Sequence, residues 1–249
     1  MTLTVFAVRG IPEIRPGDDL ALEITRAVAA QGERLRDRDV VVVAQKIVSK
    51  SEGQLVRLSD VVPGDEANRH AAEHRKDARV VEVVLRESKT VIRMERGVII
   101  SETHHGFVCA NAGVDRSNAG APDTVVLLPK DPDASALALR EALRRRDGVN
   151  VAAIVSDTFG RAWREGHANV AIGMAGVPAL LRYMGQLDPD GYELRVTEIA
   201  LADEVAAAAE LVMGKLKRCP VAVVRGVEYE ESGETGQTYV RPREKDLFR

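Results

Sequence analysis

The sequence predicts an α+β (mixed α/β) fold, built as two interleaved subdomains with mixed sheets. Two observations favour this class. Between residues 79 and 129, β-type runs follow one another with only short connections, whereas elsewhere apolar strand-like runs alternate with helical segments. Consecutive strands are typical of antiparallel pairing and alternation is typical of parallel pairing, so a mixture favours α+β over a simple doubly wound sheet.

The first part of the chain predicts a helix, a strand and a second helix. The stretch "RPGDDLALEITRAVAAQG" has Asp18 as its expected N-cap, apolar residues such as Ile24 at helical spacing, and Gly32 just past the end. Residues 39–45, "DVVVVAQ", form a continuous apolar run, which is typical of a strand buried on both faces. Residues 63–78 predict a polar helix.

The middle of the chain predicts strands. The four β-like runs are "RVVEVVLR" (79–86), "TVIRMERGVIIS" (90–101), "GFVCANAG" (106–113) and "DTVVLLP" (123–129).

The last part predicts alternating helices and strands. A helix over 131–148 should begin at Asp131, with Pro132 at its first position. Residues 149–160, "VNVAAIVSDTFG", predict a buried strand that ends in a polar turn. An amphipathic helix over 196–217, capped by Thr197, precedes a strand at 220–226.

Composition favours a globular protein without a nucleic-acid or membrane partner. The 249 residues are 45% apolar and 29% charged, and the net charge is −3, which lacks the basic footprint of nucleic-acid binding. No run approaches the length of a membrane span, and the N-terminal residues lack a signal-peptide pattern. Cys109 and Cys219 are therefore expected to be reduced thiols, and we expect a cytoplasmic location.

The stretch "ETHHGFVCANAGVDRSN" (102–118) concentrates polar side chains that suggest several kinds of site. His104, His105 and Cys109 are zinc-ligand types, but the cysteine has no partner at CxxC spacing, and adjacent strand residues point to opposite faces. No predicted helix N-terminus follows Cys109 to activate its thiol, so a small buried side chain is the favoured interpretation.

Carboxylates at turns suggest a site for a hard cation. Asp115 follows a glycine turn, with Asn118 three residues later, and Asp157 and Thr158 lie where a predicted buried strand ends. Mg²⁺ and Mn²⁺ prefer carboxylate, hydroxyl and phosphate oxygens, so Asp115 and Asp157 form the best candidate pair. Each Asp alone is equally typical of a turn cap.

Phosphate binding has candidates but no P-loop or dinucleotide fingerprint. Lys46 and Lys50 follow the buried strand and could meet phosphate as point charges, or lie in a solvated turn. The polar loop "EESGETGQTY" (230–239) could cradle phosphates with its N–H groups, or be a plain surface loop. Trp163, the only tryptophan, suggests either an aromatic ligand or a core or interface position.

Taken together, these segments make the chain similar to the coenzyme F420-0:L-glutamate ligase family, also called F420 γ-glutamyl ligases. The resemblance covers nearly the whole chain, in the family's order. It is carried by "GIPEIRPGDDL", "DVVVVAQKIVSKSEG", "AGVDRSNAG", "LLPKDPDASALALR", "VSDTFGRAWREG", "VTEIALADEVAAAAELVMGK" and "PVAVVRG".

The resemblance implies a GTP-dependent amide ligase. Such enzymes attach L-glutamate to F420-0 through an acyl phosphate, release GDP and phosphate, and then add further γ-linked glutamates. The resemblance also implies Mg²⁺ or Mn²⁺, an assisting K⁺ and an intertwined homodimer. It implies that residues 1–249 form one family module, without the C-terminal flavin reductase domain found in some relatives.

The resemblance also assigns roles to residues. Asp115 and Asp157 resemble catalytic metal-ligating aspartates, and Thr158 resembles a ligand of a second cation. The implied nucleotide contacts are Ile11, Pro12, Glu13, Ile14, Gln45, Lys50, Asn118 and, in a late loop that matches the family less well, Gly233, Glu234, Thr235, Gly236 and Gln237.

Two other functions remain alternatives. A metal-dependent nucleotide phosphohydrolase could use the same carboxylates and release phosphate without glutamate, although the whole-chain resemblance argues against it. A non-catalytic protein that binds a nucleotide or deazaflavin would show no metal-dependent turnover, and the pair Asp115 and Asp157 argues against that.

Overall fold

The computed structural model describes residues 2–247. The strands are β1 (Thr4–Ala7), β2 (Val40–Ala44), β3 (Leu55–Arg57), β4 (Ser88–Glu95), β5 (Val98–Thr103), β6 (Val108–Ala110), β7 (Thr124–Val126), β8 (Ala152–Arg161), β9 (Arg164–Ala175), β10 (Leu180–Arg182), β11 (Glu198–Ala200) and β12 (Val221–Arg225). The helices are α1 (Leu20–Ala30), α2 (Gln45–Ser51), α3 (Asp65–His74), α4 (Ala78–Glu87), α5 (Pro132–Asp147) and α6 (Leu201–Met213). This mixture confirms the predicted α+β class.

A five-stranded mixed sheet, in the spatial order β1-β12-β2-β8-β9, forms the centre of the molecule. β2 and β8 are parallel, and the other neighbours are antiparallel. Val41 and Val43 of β2 pack into the core beside α1 and α5, whereas Val40 and Val42 pack into the core beside α6. The prediction of a strand buried on both faces is therefore confirmed.

A smaller lobe is inserted between β2 and β8. Its sheet β4-β5-β6 packs with α3 and α4, and β3 pairs with β7 beside them. The lobe has apolar clusters of its own, such as that around Val81 and Ile99. Because the chain leaves the main sheet, builds this lobe and returns through α5, the two parts interleave in sequence.

One predicted strand is a helix. Residues 79–86 lie in α4, where Asp77 caps the N-terminus by accepting a hydrogen bond from the Arg79 N–H at 3.0 Å. The β-branched composition suggested a strand, but Val81 and Val84 also have helical spacing, and they bury one helix face in the lobe's core. Tertiary packing therefore outweighs intrinsic strand propensity here.

Two predicted caps are also wrong. Asp19 caps α1, with its Oδ1 2.9 Å from the Leu22 N, while Asp18 closes the preceding turn by accepting from the Arg15 N–H. Thr197 does not cap α6, which begins at Leu201, because the chain is still extended there and forms β11. The Asp131 cap with Pro132 in the first turn of α5 is confirmed.

The hairpin of β8 and β9 extends beyond the sheet. β9 was not predicted from the sequence, because residues 160–167 are polar and show no alternation of apolar and polar side chains. In the structure these residues are exposed. Asp157 consequently lies within a long strand rather than at its end, at the point where the strand leaves the core. Trp163, at the tip of the hairpin, has a positive φ of 60° and is 80% exposed. Among residues 2–247, no helix has the length and apolarity that crossing a membrane requires.

Candidate active site

The parallel strands β2 and β8 bring two candidate segments to one edge of the main sheet. Ala44 pairs with Ser156, so the start of α2 and Asp157 follow directly at the same edge. Carboxyl ends of parallel strands are common positions for ligand sites. α2 places Lys46 there, one of the two lysines that the sequence offered either as phosphate contacts or as part of a solvated turn.

Asp115 reaches this edge from the inserted lobe. Its backbone pairs with Val126, with N···O distances of 3.0 and 2.8 Å, which fixes where the turn after residue 113 begins. The Asp115 Oδ2 lies 2.6 Å from the Lys46 Nζ, and the Lys46 ammonium also donates to the Ser117 Oγ at 2.6 Å. The lobe and the main sheet therefore meet at a carboxylate–ammonium contact.

The two candidate carboxylates differ in electrostatic environment. Burial acts to raise the pKa of Asp115, but hydrogen bonds from Lys46 and from the N–H and hydroxyl of Ser117 hold that pKa below its usual range. The pKa of Asp157 is raised to about 6, mainly by burial and further by the charge of Asp115, while a hydrogen bond from the Thr158 backbone and the charges of Lys46 and Lys215 act in the opposite direction. Asp157 is thus a carboxylate whose charge its neighbours do not fully balance.

Thr158 lies half-buried beside Asp157, and its hydroxyl is already ordered. The Thr158 Oγ1 donates to the Asn169 Oδ1 at 2.7 Å, and the Asn169 Nδ2 donates to the Glu210 Oε2 at 3.1 Å. Thr158 and Asn169 face each other across β8 and β9.

The donor set fits a hard divalent cation. The two carboxylates are oxygen ligands of the kind that Mg²⁺ and Mn²⁺ take, and phosphate oxygens and water would complete the coordination. Thr158 follows Asp157 in β8, so its hydroxyl points to the other face of the sheet, toward Asn169 and Glu210. The raised pKa of Asp157 is the observation that supports this fit, since a bound cation would offset the cost of that buried charge. Within the described residues 2–247, no group of three or more His, Cys, Asp or Glu side chains is placed to hold a metal ion.

The predicted nucleotide contacts of the first half of the chain come together near this edge. The Lys50 Nζ lies 2.5 Å from the Glu13 Oε1, which joins α2 to the loop of residues 11–14. A Cβ at Gly120 would lie 3.3 Å from the same Glu13 oxygen and 3.6 Å from the Lys50 Nζ, so the loop after Asn118 touches this pair.

Individual positions of this group differ in exposure. Ile11 is half-buried and Pro12 is exposed, whereas Ile14 belongs to the main core. Gln45 is buried and accepts a hydrogen bond from the Ser49 hydroxyl at 2.8 Å. Asn118 is exposed in the left-handed region, with φ 54°.

The loop of residues 233–237 forms its hydrogen bonds away from Lys50 and Glu13. The Glu234 carboxylate accepts from the Ala179 N–H at 2.8 Å and from Arg182 at 2.6 Å. The Gly236 N–H donates to the Asp133 Oδ1 at 2.7 Å, which ties the loop to the start of α5. The remaining predicted positions are Gly233, which is exposed, Thr235, which precedes a 3₁₀ turn (Gly236–Tyr239), and Gln237, which donates to the His105 carbonyl. The nucleotide role of this loop stays a prediction.

The histidines and the cysteine of residues 104–109 have other contacts. The His104 Nε2 lies 3.0 Å from the Arg86 carbonyl, and the His105 Nε2 lies 2.8 Å from the Pro129 carbonyl. Since a carbonyl oxygen only accepts, both Nε2 atoms carry the hydrogen. Cys109 is buried, and burial followed by the nearby charge of Asp157 raises its pKa to about 12, so the thiolate is not available.

Sequence patterning missed part of this neighbourhood. Glu210 and Lys215 belong to α6 and the turn after it, which carry no local motif for a site. Asn169 stands out in the sequence as a polar residue after Asp157, but its contact with Thr158 could have been predicted only by recognising β9 and its register with β8.

Comparison with known proteins agrees with the family resemblance. Residues 10–226 match the family model described as F420-0:Gamma-glutamyl ligase. The chain is 42% identical over 252 residues to the coenzyme F420:L-glutamate ligase of Methanothermobacter thermautotrophicus, covering 100% of both chains. It is 44% identical over 242 residues to the protein of that name from Methanopyrus kandleri, covering 95% of this chain and 94% of the relative. The chain belongs to the F420-0:gamma-glutamyl ligase family.

Proposed function

We propose that the chain catalyses the GTP-dependent addition of L-glutamate to coenzyme F420-0, followed by further γ-linked glutamates. The names of its relatives support the ligase activity and the small-molecule substrates. The observation that carries the proposal is the meeting of Asp115, Asp157 and Lys46 at one sheet edge. Two carboxylates and an ammonium form a site suited to a cation-bound triphosphate.

The reaction we propose has two steps. A carboxylate oxygen of the acceptor attacks the γ-phosphorus of GTP, so that GDP leaves and an acyl phosphate forms. The amine of glutamate, after losing a proton, attacks the acyl carbon, an amide bond forms and inorganic phosphate leaves. A carboxylate is a poor electrophile, and phosphorylation supplies the leaving group that amide formation needs.

The chain's residues would hold and orient these groups. Bound Mg²⁺ or Mn²⁺ supplies positive charge against the transferring phosphoryl group. Asp115 and Asp157 would provide its protein ligands in this proposal, and Thr158 would bind a second cation. Lys46, whose ammonium lies 2.6 Å from the Asp115 carboxylate, would donate a hydrogen bond to a phosphate oxygen of the bound nucleotide.

Lys50 would provide a second, more deeply buried cationic contact. Its ammonium is held by the Glu13 carboxylate, and its side chain is 6% exposed. We propose that the loop of residues 11–14, Gln45, Asn118 and the loop of residues 233–237 contact the nucleotide around it.

The proposal includes features that rest on the resemblance alone. These are an assisting K⁺, a cytoplasmic location and an intertwined homodimer, for which the exposed end of the β8–β9 hairpin is a suitable contact element. Sedimentation of the purified protein tests the dimer, and replacing K⁺ by Na⁺ in the assay tests the monovalent cation.

The activity test is a mass-spectrometric assay of the purified protein with F420-0, L-glutamate, GTP and Mn²⁺, omitting each in turn. A mass increase of one or more glutamyl units that requires all four components is the expected result. GDP formation without a glutamyl product would indicate the phosphohydrolase instead. Ligand binding without metal-dependent turnover would indicate a binding protein.

A further inference from the structure

The β8–β9 hairpin ends in an exposed tip that lies beyond the candidate cation site. Both strands continue past the edge of the main sheet, and residues 160–167 at their far end are exposed. At about 3.3 Å per residue, the four steps from Asp157 to Arg161 place this tip about 13 Å from the cation site. The tip can therefore contact a long ligand whose reacting end lies at Asp157.

Trp163, at the tip, is not explained by the packing of the fold. The residue is 80% exposed, so its indole buries little apolar surface within the chain. Its φ of 60° lies in the left-handed region, where glycine would fit without strain and a bulky side chain does not. A large exposed aromatic group in an unfavourable backbone conformation is typical of a binding position.

The tip also carries positive charge. Arg161 and Arg164 pair across the two strands, and both are exposed. Two arginines against the single carboxylate of Glu165 leave residues 161–166 with a net charge of +1. The Arg161 Nη2 donates to the Glu165 carbonyl oxygen at 2.6 Å, which orients the guanidinium without neutralising it. An indole beside two arginines suits a ligand that is both aromatic and anionic.

The order of the main sheet separates this tip from the predicted nucleotide contacts of residues 11–14 and α2. β1 and β9 are the two outer strands, and β2 lies between them. The loop of residues 11–14 follows β1, and its Glu13 contacts Lys50 of α2, which follows β2. These nucleotide contacts therefore lie on the β1 side of Asp157, whereas the hairpin lies on the β9 side.

The hairpin is on the side from which an acceptor would approach. In-line phosphoryl transfer places the acceptor and the leaving group on opposite sides of the transferred phosphorus. With GTP on the β1 side, the acceptor comes from the β9 side. F420-0 is a deazaflavin, an anion whose tricyclic aromatic ring is joined through a flexible chain to the carboxylate that reacts.

We propose that the tip of the β8–β9 hairpin binds this acceptor. The Trp163 indole stacks on the tricyclic ring, and Arg161 and Arg164 contact the anionic chain. This inference rests on the proposed function, because F420-0 is the acceptor only in that reaction.

Fluorescence tests the stacking directly, because Trp163 is the only tryptophan in the chain. Acrylamide quenching of the full chain with Mg²⁺ measures how accessible the indole is, with and without ligands. Lifetimes are recorded, since energy transfer to the deazaflavin dims the emission without covering the indole. F420-0 together with GDP should lower the quenching rate constant several-fold, because a stacked ring shields the indole, whereas GDP alone should leave it unchanged.

Substitutions at the tip test the contribution of the ring to acceptor binding. Removing a stacking aromatic weakens binding by about 10-fold or more, so Trp163→Ala should raise the KM for F420-0 by about 10-fold. The kcat and the KM for GTP should not change, since the contact is equal in the ground state and the transition state. Trp163→Phe should keep most of the affinity. Trp163→Gly fits the φ of 60° and should raise the KM as Trp163→Ala does, which assigns the effect to the lost ring.

A matched control removes an exposed ring from another hairpin. Tyr192 is 63% exposed and lies between β10 and β11. Tyr192→Ala should leave the KM for F420-0 unchanged.

The outcomes separate the acceptor contact from other roles of the tip. Shielding of Trp163 by GDP alone would assign the tip to the nucleotide and overturn the proposal. A wild-type KM for F420-0 in Trp163→Ala would also overturn it, and an accompanying change in sedimentation would assign Trp163 to a contact between two copies. In both cases glutamate addition by the wild type leaves the proposed function intact. A wild type that forms no glutamyl product refutes the proposed function, and the acceptor role of the tip with it.

Discussion

Replacing Asp157 by Asn should stabilise the metal-free protein while it abolishes most of the activity. Burial raises the pKa of Asp157 from an ordinary value of 3.8 to about 6, so its ionised form is less favourable in the folded than in the unfolded chain. A difference of roughly two pH units corresponds to roughly 3 kcal/mol, which is an upper bound for the gain from the neutral amide.

The pH dependence of this effect has a definite sign. Between about pH 4 and pH 6 the folded protein binds more protons at Asp157 than the unfolded chain does, so the wild type loses stability as the pH rises through this window. Asn has no such loss. The free energy of unfolding of Asp157→Asn should therefore exceed that of the wild type at pH 8, and the two should converge below pH 4.

Urea unfolding with EDTA, at pH 8 and at pH 4, measures the difference. For a chain of this size, 3 kcal/mol corresponds to a rise of about 6–12 °C in melting temperature. Adding Mn²⁺ at about 100-fold its Kd should stabilise the wild type by about 2.7 kcal/mol and the variant hardly at all. A metal-free wild type that is more stable than Asp157→Asn at pH 8 would refute the reasoning, and near wild-type turnover of the variant would refute the metal assignment.

Three further substitutions test the site and the core. Lys46→Met removes the ammonium that competes with a metal ion for the Asp115 carboxylate, so Mn²⁺ alone should bind several-fold more tightly in calorimetry. Turnover should nevertheless fall by about 100-fold, because a contact with phosphate is lost. Unchanged turnover would exclude the phosphate contact. Cys109→Ala should keep turnover within a few-fold of the wild type. The pKa of this thiol is raised to about 12, so Cys109 is not ionised and cannot act as a nucleophile. A loss of about 1000-fold in the ligase assay would contradict this. Gly173→Ala places a Cβ 2.2 Å from the Pro132 carbonyl oxygen. The substitution should lower the free energy of unfolding by about 3 kcal/mol in urea titration, and a loss below about 0.5 kcal/mol would contradict the close approach.

Elements with strong local signals could be predicted from the sequence. The run Val40–Ala44 is flanked by charge and can only be buried, and Asp131 followed by Pro132 defines the start of α5. The helix α4 was missed because valine-rich runs satisfy both strand propensity and helical spacing, and the choice depends on what they pack against. Strand β9 was missed because its first half is polar and has no apolar pattern. Pairing with β8, which the sequence does not reveal, holds that half in a strand.

The residues of the candidate site were predicted one by one, but their neighbours were not. Asp115 and Asp157 stood out as carboxylates at turns beside apolar strands. The contact of Lys46 with Asp115 joins residues 69 positions apart in sequence, across two lobes, and no local pattern encodes it. The same holds for Glu210, which reaches Thr158 only through Asn169.

The sequence by itself determined the family and the chemical types of the side chains, because both depend on residue identity and on short-range order along the chain. The tertiary structure decided which of those side chains meet. The parallel register of β2 with β8 brings the start of α2, which carries Lys46, to the same sheet edge as Asp157, and the bridge between Asp115 and Val126 carries a third group to them from the inserted lobe. The physical reason is that burial and charge act through space, so the raised pKa of Asp157 arises from neighbours that lie far from it along the chain.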